Sequence, residues 1–337
     1  MIKKISNLVE ELLKKARKEK QPDFIAPMLA TLTENYFSSD DWIYEHKFDG
    51  ERCFAYKKNG KVRLKSRNDR IINNEYPELV TVLEKQAADD FIIDGEIVAL
   101  NKEGISDFQL LQGRINIKSI TESESLEKQV PIYYHIFDLL YTNGYNICHL
   151  PLLARKALLK NLLRYNKMLN YTLHHVGDGV ALFKKACAAH WEGLIAKKID
   201  STYVSKRSPS WLKFKCSAGQ ELVIIGYTEP KGSRAYFGAL LVGYYDNGKL
   251  MYAGKVGTGF TQTTLELLGK KLKKLETKKK TVINYDGTLR GVHWVKPILI
   301  AEFKFAQWTR GNRLRVGRYQ GLRDDKKATQ VVKETPE

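Results

Sequence analysis

Cysteine is scarce in this chain: Cys53, Cys148, Cys187 and Cys216 are the four in 337 residues, widely spaced and without a Cys-x-x-Cys pair. That spacing argues against a disulfide-stapled secreted scaffold and against a structural zinc site, and the four are expected to be reduced thiols of a cytoplasmic protein. No apolar run approaches the roughly 20 residues that span a bilayer, so no membrane segment is expected. The N-terminus lacks the pattern of a signal peptide, because Lys3 and Lys4 are followed by only a short mixed stretch and then by Lys14, Lys15, Arg17, Lys18 and Lys20. Acidic residues are in deficit. There are 38 Asp plus Glu against 56 Lys plus Arg, a net charge of +18, which favours a polyanionic partner and salt-sensitive association. Repeats are absent, and the sole low-complexity run is Lys278-Lys279-Lys280.

What is present suits a globular protein of about two domains: 43 % of the residues are hydrophobic. Residues 1–22 read as a basic helix, with Ile5, Leu8, Val9, Leu12 and Leu13 at helical spacing. From residue 23 to 217 strand signals alternate with helices. Arg52 to Tyr56 and Val62 to Ser66 form a predicted hairpin around Lys57–Lys61, while Ala154 to Leu163 and Ala181 to Ala189 read as helices. Ser217-Ala218-Gly219-Gln220 reads as a linker. Beyond it, Leu222 to Tyr227, Leu240 to Tyr245, Leu250 to Lys255 and Ile298 to Trp308 are predicted strands, and Thr264 to Leu275 a helix. Several short strands with one helix suit a small barrel over 218–325, followed by a charged tail over 326–337.

The most informative residue is Lys47, in Tyr44-Glu45-His46-Lys47-Phe48-Asp49-Gly50-Glu51-Arg52. Trp42-Ile43-Tyr44 reads as a strand and Asp49-Gly50 as a turn, so the amine stands where the chain changes direction. A free lysine, with a pKa of about 10.4, is almost wholly protonated at neutral pH, and attack on phosphorus requires surroundings that favour the neutral amine. Taken alone, Lys-x-Asp-Gly is equally a surface lysine beside a turn.

The motif has company in a fixed order: Asp94-Gly95-Glu96, Phe137-Asp138, Glu192-Gly193-Leu194-Ile195-Ala196-Lys197, Trp211-Leu212-Lys213-Phe214-Lys215 and Leu322-Arg323-Asp324-Asp325-Lys326. Together these resemble the ATP-dependent DNA ligases and their covalent nucleotidyltransferase relatives. Phe237 to Tyr244 followed by Gly254 to Phe260 is most similar to the ligase module of bacterial end-joining ligases. The resemblance implies an α+β fold: an adenylation domain of mainly antiparallel mixed sheets with flanking helices, then a C-terminal OB-fold β-barrel.

It also implies roles. Lys47 would carry AMP; Phe137 would stack on adenine, and Glu45, on the strand face of Lys47, would contact it. Glu96 and Glu192 would hold Mg2+ or Mn2+, with Glu96 alternatively on the ribose. Lys213 and Lys215, on one strand face, would grip the triphosphate, and Arg52, Arg67 and Arg207 would touch ribose or phosphate. Arg323 and Lys326 would orient the pyrophosphate once the barrel swings over the ATP. ATP and a divalent metal are the expected cofactors. Nicked double-stranded DNA is the expected partner of a monomer in the cytoplasm, on the nucleoid, with a Ku-type end-binding protein as a further partner and no membrane. No helical DNA-binding domain is recognisable before Pro27, and neither a polymerase nor a nuclease module is expected, so this reads as a compact ligase. The rivals are an RNA ligase, a capping-type guanylyltransferase, and an idle nucleic-acid binding protein of the same fold.

Overall fold

The computed structural model describes residues 16–334 apart from Asn116, Lys118, Ala218, Lys231, Ser233 and Asp325. The chain divides into two compact units between Cys216 and Ser217. Most of the expected N-terminal helix, residues 1–15, lies outside the described residues. Its expected continuation is corrected: Arg17–Lys18 is a strand paired with Tyr145–Asn146. The following residues are tied to the sheet edge, Tyr141 donating to Glu19 O at 2.9 Å and Gln21 Nε2 to Lys57 O at 2.8 Å.

The first unit contains two sheets. The larger runs Arg17–Lys18, Tyr145–Asn146, Ile132–Thr142, Phe91–Ala99, Glu51–Lys58, Lys61–Ser66, with Leu169–Tyr171 parallel to Ile132–Thr142. The hairpin strands reach further than expected, to Lys58 and Lys61, because Asn59-Gly60 makes the turn in two residues. The smaller sheet runs His174–Val176, Trp42–His46, Gly193–Lys198, Arg207–Lys215, Leu29–Leu32, and only its last pairing is parallel.

The larger sheet is covered on both faces at its centre, where eight of the nine residues of Phe91–Ala99 are buried. Ala55, Leu64, Ile93 and Ile97 of the larger sheet pack with Leu79 and Leu83 of helix Pro77–Glu84 and Leu158 and Leu159 of helix Leu152–Leu162. Between the sheets lie Met28, Phe54, Tyr56, Ile92, Tyr203 and Trp211. Beyond the smaller sheet, Tyr44, Leu194, Ala196 and Phe214 pack on Phe183 and Ala186 of helix Gly179–Ala188. Each fully buried large apolar side chain contributes roughly 1.5–3 kcal/mol.

The second unit is built on strands Lys249–Val256, Leu240–Asp246, Gly219–Thr228, Ile300–Lys304 and Arg318–Arg323, neighbours in that order and all antiparallel. Val292–Val295 and Glu276–Thr277 extend it on the other side of Gly219–Thr228. Helix Gln262–Lys274 starts at Thr261, whose hydroxyl accepts from Thr264 N at 3.1 Å. It lays Leu265, Leu268 and Leu272 on a core of Leu222, Ile224, Leu240, Val242, Trp294 and Phe303.

This is the strand set of an OB-fold, but the ladder does not close among the described residues. After Val256 the chain leaves for the helix, and only an isolated Thr258–Arg318 bridge spans the gap. The expected strand Ile298 to Trp308 is two pieces, Ile300–Lys304 and Gln307–Trp308, the second in its own hairpin with Leu314–Arg315. In the described part of the expected charged tail, Val331 is buried and its carbonyl accepts from Tyr245 N at 2.7 Å.

Candidate active site

The smaller sheet sets out the site by register alone. Its cross-strand partners form rows: Glu45, Ile195, Lys213, and beside it Ile43, Lys197, Trp211. Directly opposed residues share a sheet face, and so do residues two apart. Lys47 extends the first strand, its N–H donating to Gly193 O at 3.0 Å, and Gly193 is opposite Lys215. One face therefore carries Glu45, Lys47, Lys197, Trp211, Lys213 and Lys215, while Tyr44, Leu194, Ala196 and Phe214 of the other face make core.

Lys47 Nζ pairs with Glu192 Oε1. Gly193 permits this: it has φ +150°, and an added Cβ would stand 1.9 Å from Phe214 O, so no side chain fits between the strands there. Cys216 N donates to Glu192 O at 3.1 Å, fixing Glu192 from the far side. Gly50 closes the turn after Lys47 for a similar reason, since a Cβ would lie 2.2 Å from Ile97 O.

The larger sheet contributes the opposite wall. Arg52 is opposite Glu96, and Phe54 opposite Asp94. The Arg52 guanidinium forks onto Asp94, Nε to Oδ1 at 2.9 Å and Nη2 to Oδ2 at 2.6 Å, with Nη1 donating to Met28 O at 2.8 Å. Burial would weaken its charge, but Asp94 more than compensates and raises its pKa. Phe137 stands at a register shift in Ile132–Thr142, where the partners of Asp94 and Gly95 are Asp138 and Ile136. It is the extra residue of a β-bulge, a device that re-aims a side chain. Its ring has Lys197 Nζ at 4.3 Å and the Arg52 guanidinium at 5.3 Å, with Trp211 edge-on at 6.1 Å.

Two lysines that the sequence reading did not single out complete the wall. Glu45 is 2 % exposed, and its oxygens are held by Lys156 Nζ at 2.5 Å and Lys197 Nζ at 2.6 Å. Burial raises the Glu45 pKa, but the two ammonium groups overcome this and leave it below the usual carboxylate value. For Lys197 burial prevails, and its pKa is lowered despite Glu45. Lys197 Nζ also lies over the rings of Phe137, at 4.3 Å, and Trp211, at 4.1 Å. Lys156 also donates to Thr172 O at 3.1 Å and Phe137 O at 3.4 Å, tying the two sheets together. Behind Phe137, Asp138 pairs with Arg155, both wholly buried. Lys197 lay in a quoted motif and could have been flagged; Lys156 carries no local signal, because only tertiary packing brings helix Leu152–Leu162 to Glu45.

The other expected residues are more scattered. Arg67 is half-buried in the turn after Lys61–Ser66. Arg207 is at the opposite end of its strand from Lys215, exposed, with its guanidinium on Ala30 O. In the second unit Arg323 ends a strand, its Nε 3.7 Å from Glu221 Oε1, and Lys326 pairs with Glu221 Oε2. Asp325 of that element lies outside the described residues.

The expectation of four reduced thiols is corrected. Cys187, at the end of helix Gly179–Ala188, and Cys216, just past Arg207–Lys215, form a disulfide across 29 residues of sequence, with Cα atoms 5.2 Å apart. Sequence spacing carries no sign of this, because the fold brings a helix end to a strand end. Cys53 and Cys148 are free, and burial pushes the Cys148 thiol up to about 12.

A lysine on a carboxylate, between sheets lined with cations and aromatic rings, defines a nucleotidyltransferase cleft. Comparison with known proteins narrows the class: the family model for the ATP dependent DNA ligase domain matches residues 27–215, and that for the ATP dependent DNA ligase C terminal region matches 233–326. The chain belongs to the ATP-dependent DNA ligases. It is 38 % identical over 330 residues to the multifunctional non-homologous end joining protein LigD of Pseudomonas aeruginosa, covering 96 % of this chain and 38 % of that protein. To the multifunctional non-homologous end joining DNA repair protein LigD of Mycobacterium tuberculosis it is 35 % identical over 320 residues, covering 93 % and 40 %. The chain thus spans about two fifths of those relatives. Among solved structures, a mycobacterial DNA ligase D complexed with ATP and MES matches with a TM-score of 0.68 at 32 % identity, over 94 % of this chain and all of that one. The ligase domain of M. tuberculosis LigD matches with a TM-score of 0.50 at 33 % identity, over the same shares.

Proposed function

We propose that this chain seals nicks in double-stranded DNA by three phosphoryl transfers through a Lys47 adenylate, in bacterial end joining. The neutral Lys47 amine attacks the α-phosphorus of ATP, forming a P–N bond and expelling pyrophosphate. The DNA 5′-phosphate then attacks that phosphorus, freeing the lysine and leaving AMP on the DNA. The 3′-hydroxyl finally attacks the 5′-phosphorus, closing the phosphodiester and releasing AMP. The observation that carries this reading is the pairing of Lys47 with Glu192 on the sheet face shared with Lys213 and Lys215: a nucleophile, its carboxylate, and cations for a triphosphate.

In this reading Phe137 stacks on adenine, with Lys197 and Trp211 beside it. Glu45 serves the base indirectly, by holding Lys156 and Lys197. Arg52 and Arg67 serve the ribose and phosphates; Arg207, at the far strand end, is assigned to DNA phosphate. Arg323 and Lys326 leave Glu221 to orient pyrophosphate during charging.

Among the described residues no three His, Cys, Asp or Glu side chains converge as a metal cage. Mg2+ and Mn2+ are commonly held by one or two carboxylates together with substrate phosphates, and Glu96 and Glu192 are the carboxylates that would do so. A bound divalent ion would supply charge neutralisation on the phosphate oxygens.

No described helix is long and apolar enough to cross a membrane; we assign the enzyme to the cytoplasm, on the nucleoid, as a monomer working with a Ku-type end-binding protein. The test is to incubate the protein with ATP and Mg2+ and weigh it. One added AMP, lost in Lys47→Ala, is expected, and Lys47→Ala should still close a nick that is already adenylated. An adduct on another lysine overturns the assignment. Charging by GTP instead of ATP would point to a capping enzyme, and sealing of nicked RNA over DNA to an RNA ligase.

A further inference from the structure

Four rings stand face to face around the nucleophile. Trp191 lies on His46 with centroids 3.9 Å apart and planes at 9°; His46 lies on Phe48 at 4.2 Å and 28°; Phe48 lies on His135 at 3.9 Å and 21°. Each ring belongs to a residue adjoining a member of the site. His46 and Phe48 flank Lys47 in the chain, Trp191 precedes Glu192, and His135 is the cross-strand partner of Glu96. The column begins at the loop after helix Gly179–Ala188, where Trp191 N donates to Ala186 O at 2.9 Å, and ends on the larger sheet. It therefore connects three separate backbone segments that must converge on one phosphorus.

We propose that the Trp191–His46–Phe48–His135 column is a positioning element for adenylation, which holds Lys47 at Glu192 and sets both against Glu96. This rests on Lys47 being the nucleophile. The backbone alone leaves Lys47 at a strand end, beyond the last regular pairing of Trp42–His46, where a chain would otherwise fray. Stacking on both neighbours removes that freedom. His46 Nε2 is buried and makes no hydrogen bond, and the imidazole meets Trp191 and Phe48 through its two ring faces. His135 and His46 meet through Phe48, so the chain segment bearing Lys47 is clamped between the two sheets and cannot shift without breaking a ring contact.

The requirement is thus for flat rings at 46 and 191, which distinguishes the proposal from a chemical role of histidine. His46→Ala should slow single-turnover formation of the Lys47–AMP adduct at saturating ATP, by about a hundredfold, the scale of a misplacement near 1 Å, while leaving the ATP concentration for half-maximal rate within about threefold. His46→Phe, which keeps a ring, should restore most of the rate. Trp191→Ala should behave as His46→Ala, and the double variant should lose no more than the worse single one, because one broken stack is already broken. Thermal unfolding of each variant, with Trp191→Phe as the ring-keeping partner at the second position, separates loss of fold from loss of positioning.

An unchanged adduct rate in folded His46→Ala overturns the proposal. So does a failure of His46→Phe to recover the rate, since the imidazole itself would then be needed. If Lys47→Ala in the same assay still forms an adduct, it is the nucleophile assignment that fails.

Discussion

The two units place charge in opposite ways. In the first, Glu45, Lys156, Lys197, Asp94, Asp138, Arg155 and Arg114 are buried; among the described residues of the second, the buried polar or charged side chains are Gln220, Glu221 and Gln320. The second unit instead has an apolar core and carries Lys278, Lys279 and Lys280 on its exposed surface. A buried ion costs several kcal/mol unless well paired, and an apolar replacement of a whole pair is often neutral. In the proposed function the buried charges beside Phe137 serve recognition better than stability, because a polyphosphate and a nucleobase would need donors held ready in a dry cleft. A DNA backbone needs only phosphate neutralisation, for which exposed lysines suffice.

The strongest test of that contrast removes one member of the buried network. Glu45→Ala leaves Lys156 and Lys197 facing each other without their counter-ion and should destabilise the first unit by roughly 3–5 kcal/mol. Calorimetry should show its transition falling while that of the second unit holds. Equal shifts in both would end the contrast.

Reduction comes next. The Cys187–Cys216 link closes a loop of 29 residues, for which chain entropy gives about 3.6 kcal/mol. Alkylation of the unreduced, denatured protein should label Cys53 and Cys148 alone, and Cys216→Ser should lower the melting temperature of the first unit.

Acid should separate the units more gently. Burial lowers the pKa of both His46 and His135 to about 4, against an ordinary 6.5. The unfolded chain therefore takes up protons first as pH falls, so stability is intact above 6.5 and is lost progressively down to about 4. Discounted for partial exposure, each histidine is worth roughly 1–2 kcal/mol. Melting of the first unit followed from pH 7 to 4.5 should fall through this window, and His46→Phe should flatten the decline.

The smallest effect on folding, within about 0.5 kcal/mol, is expected for replacing Lys278, Lys279 and Lys280 with Ala. Its signature is in binding, where each lost phosphate contact reduces the slope of log K against log salt by about 0.9. Moderate salt should stop nick sealing before it stops Lys47 adduct formation. Loss of both over the same salt range, or an unchanged slope in the triple variant, would contradict a division of labour between cleft and surface.

Sequence alone determined the elements that alternate or repeat locally. The strand before Lys47, the amines of Lys213 and Lys215 two residues apart, and the helices near 154–163, 181–189 and 264–275 were legible, because hydrophobic period and turn residues act within a few positions. The ordered motifs identified the ligase family and so put forward Lys47, Glu192 and Phe137 as candidates for its site. Only the tertiary structure decided which groups meet. Lys156 on Glu45, Arg52 on Asp94, the Cys187–Cys216 link and the ring column each join residues distant in sequence, and nothing in local spacing encodes such a contact. The same holds for Arg323, which sits at the end of a strand the sequence did not announce, because Arg318–Arg323 becomes a strand by pairing with Ile300–Lys304. Pattern specifies what a segment can form; packing between sheets selects its partners, since only there are the costs of burying charge and ordering side chains offset.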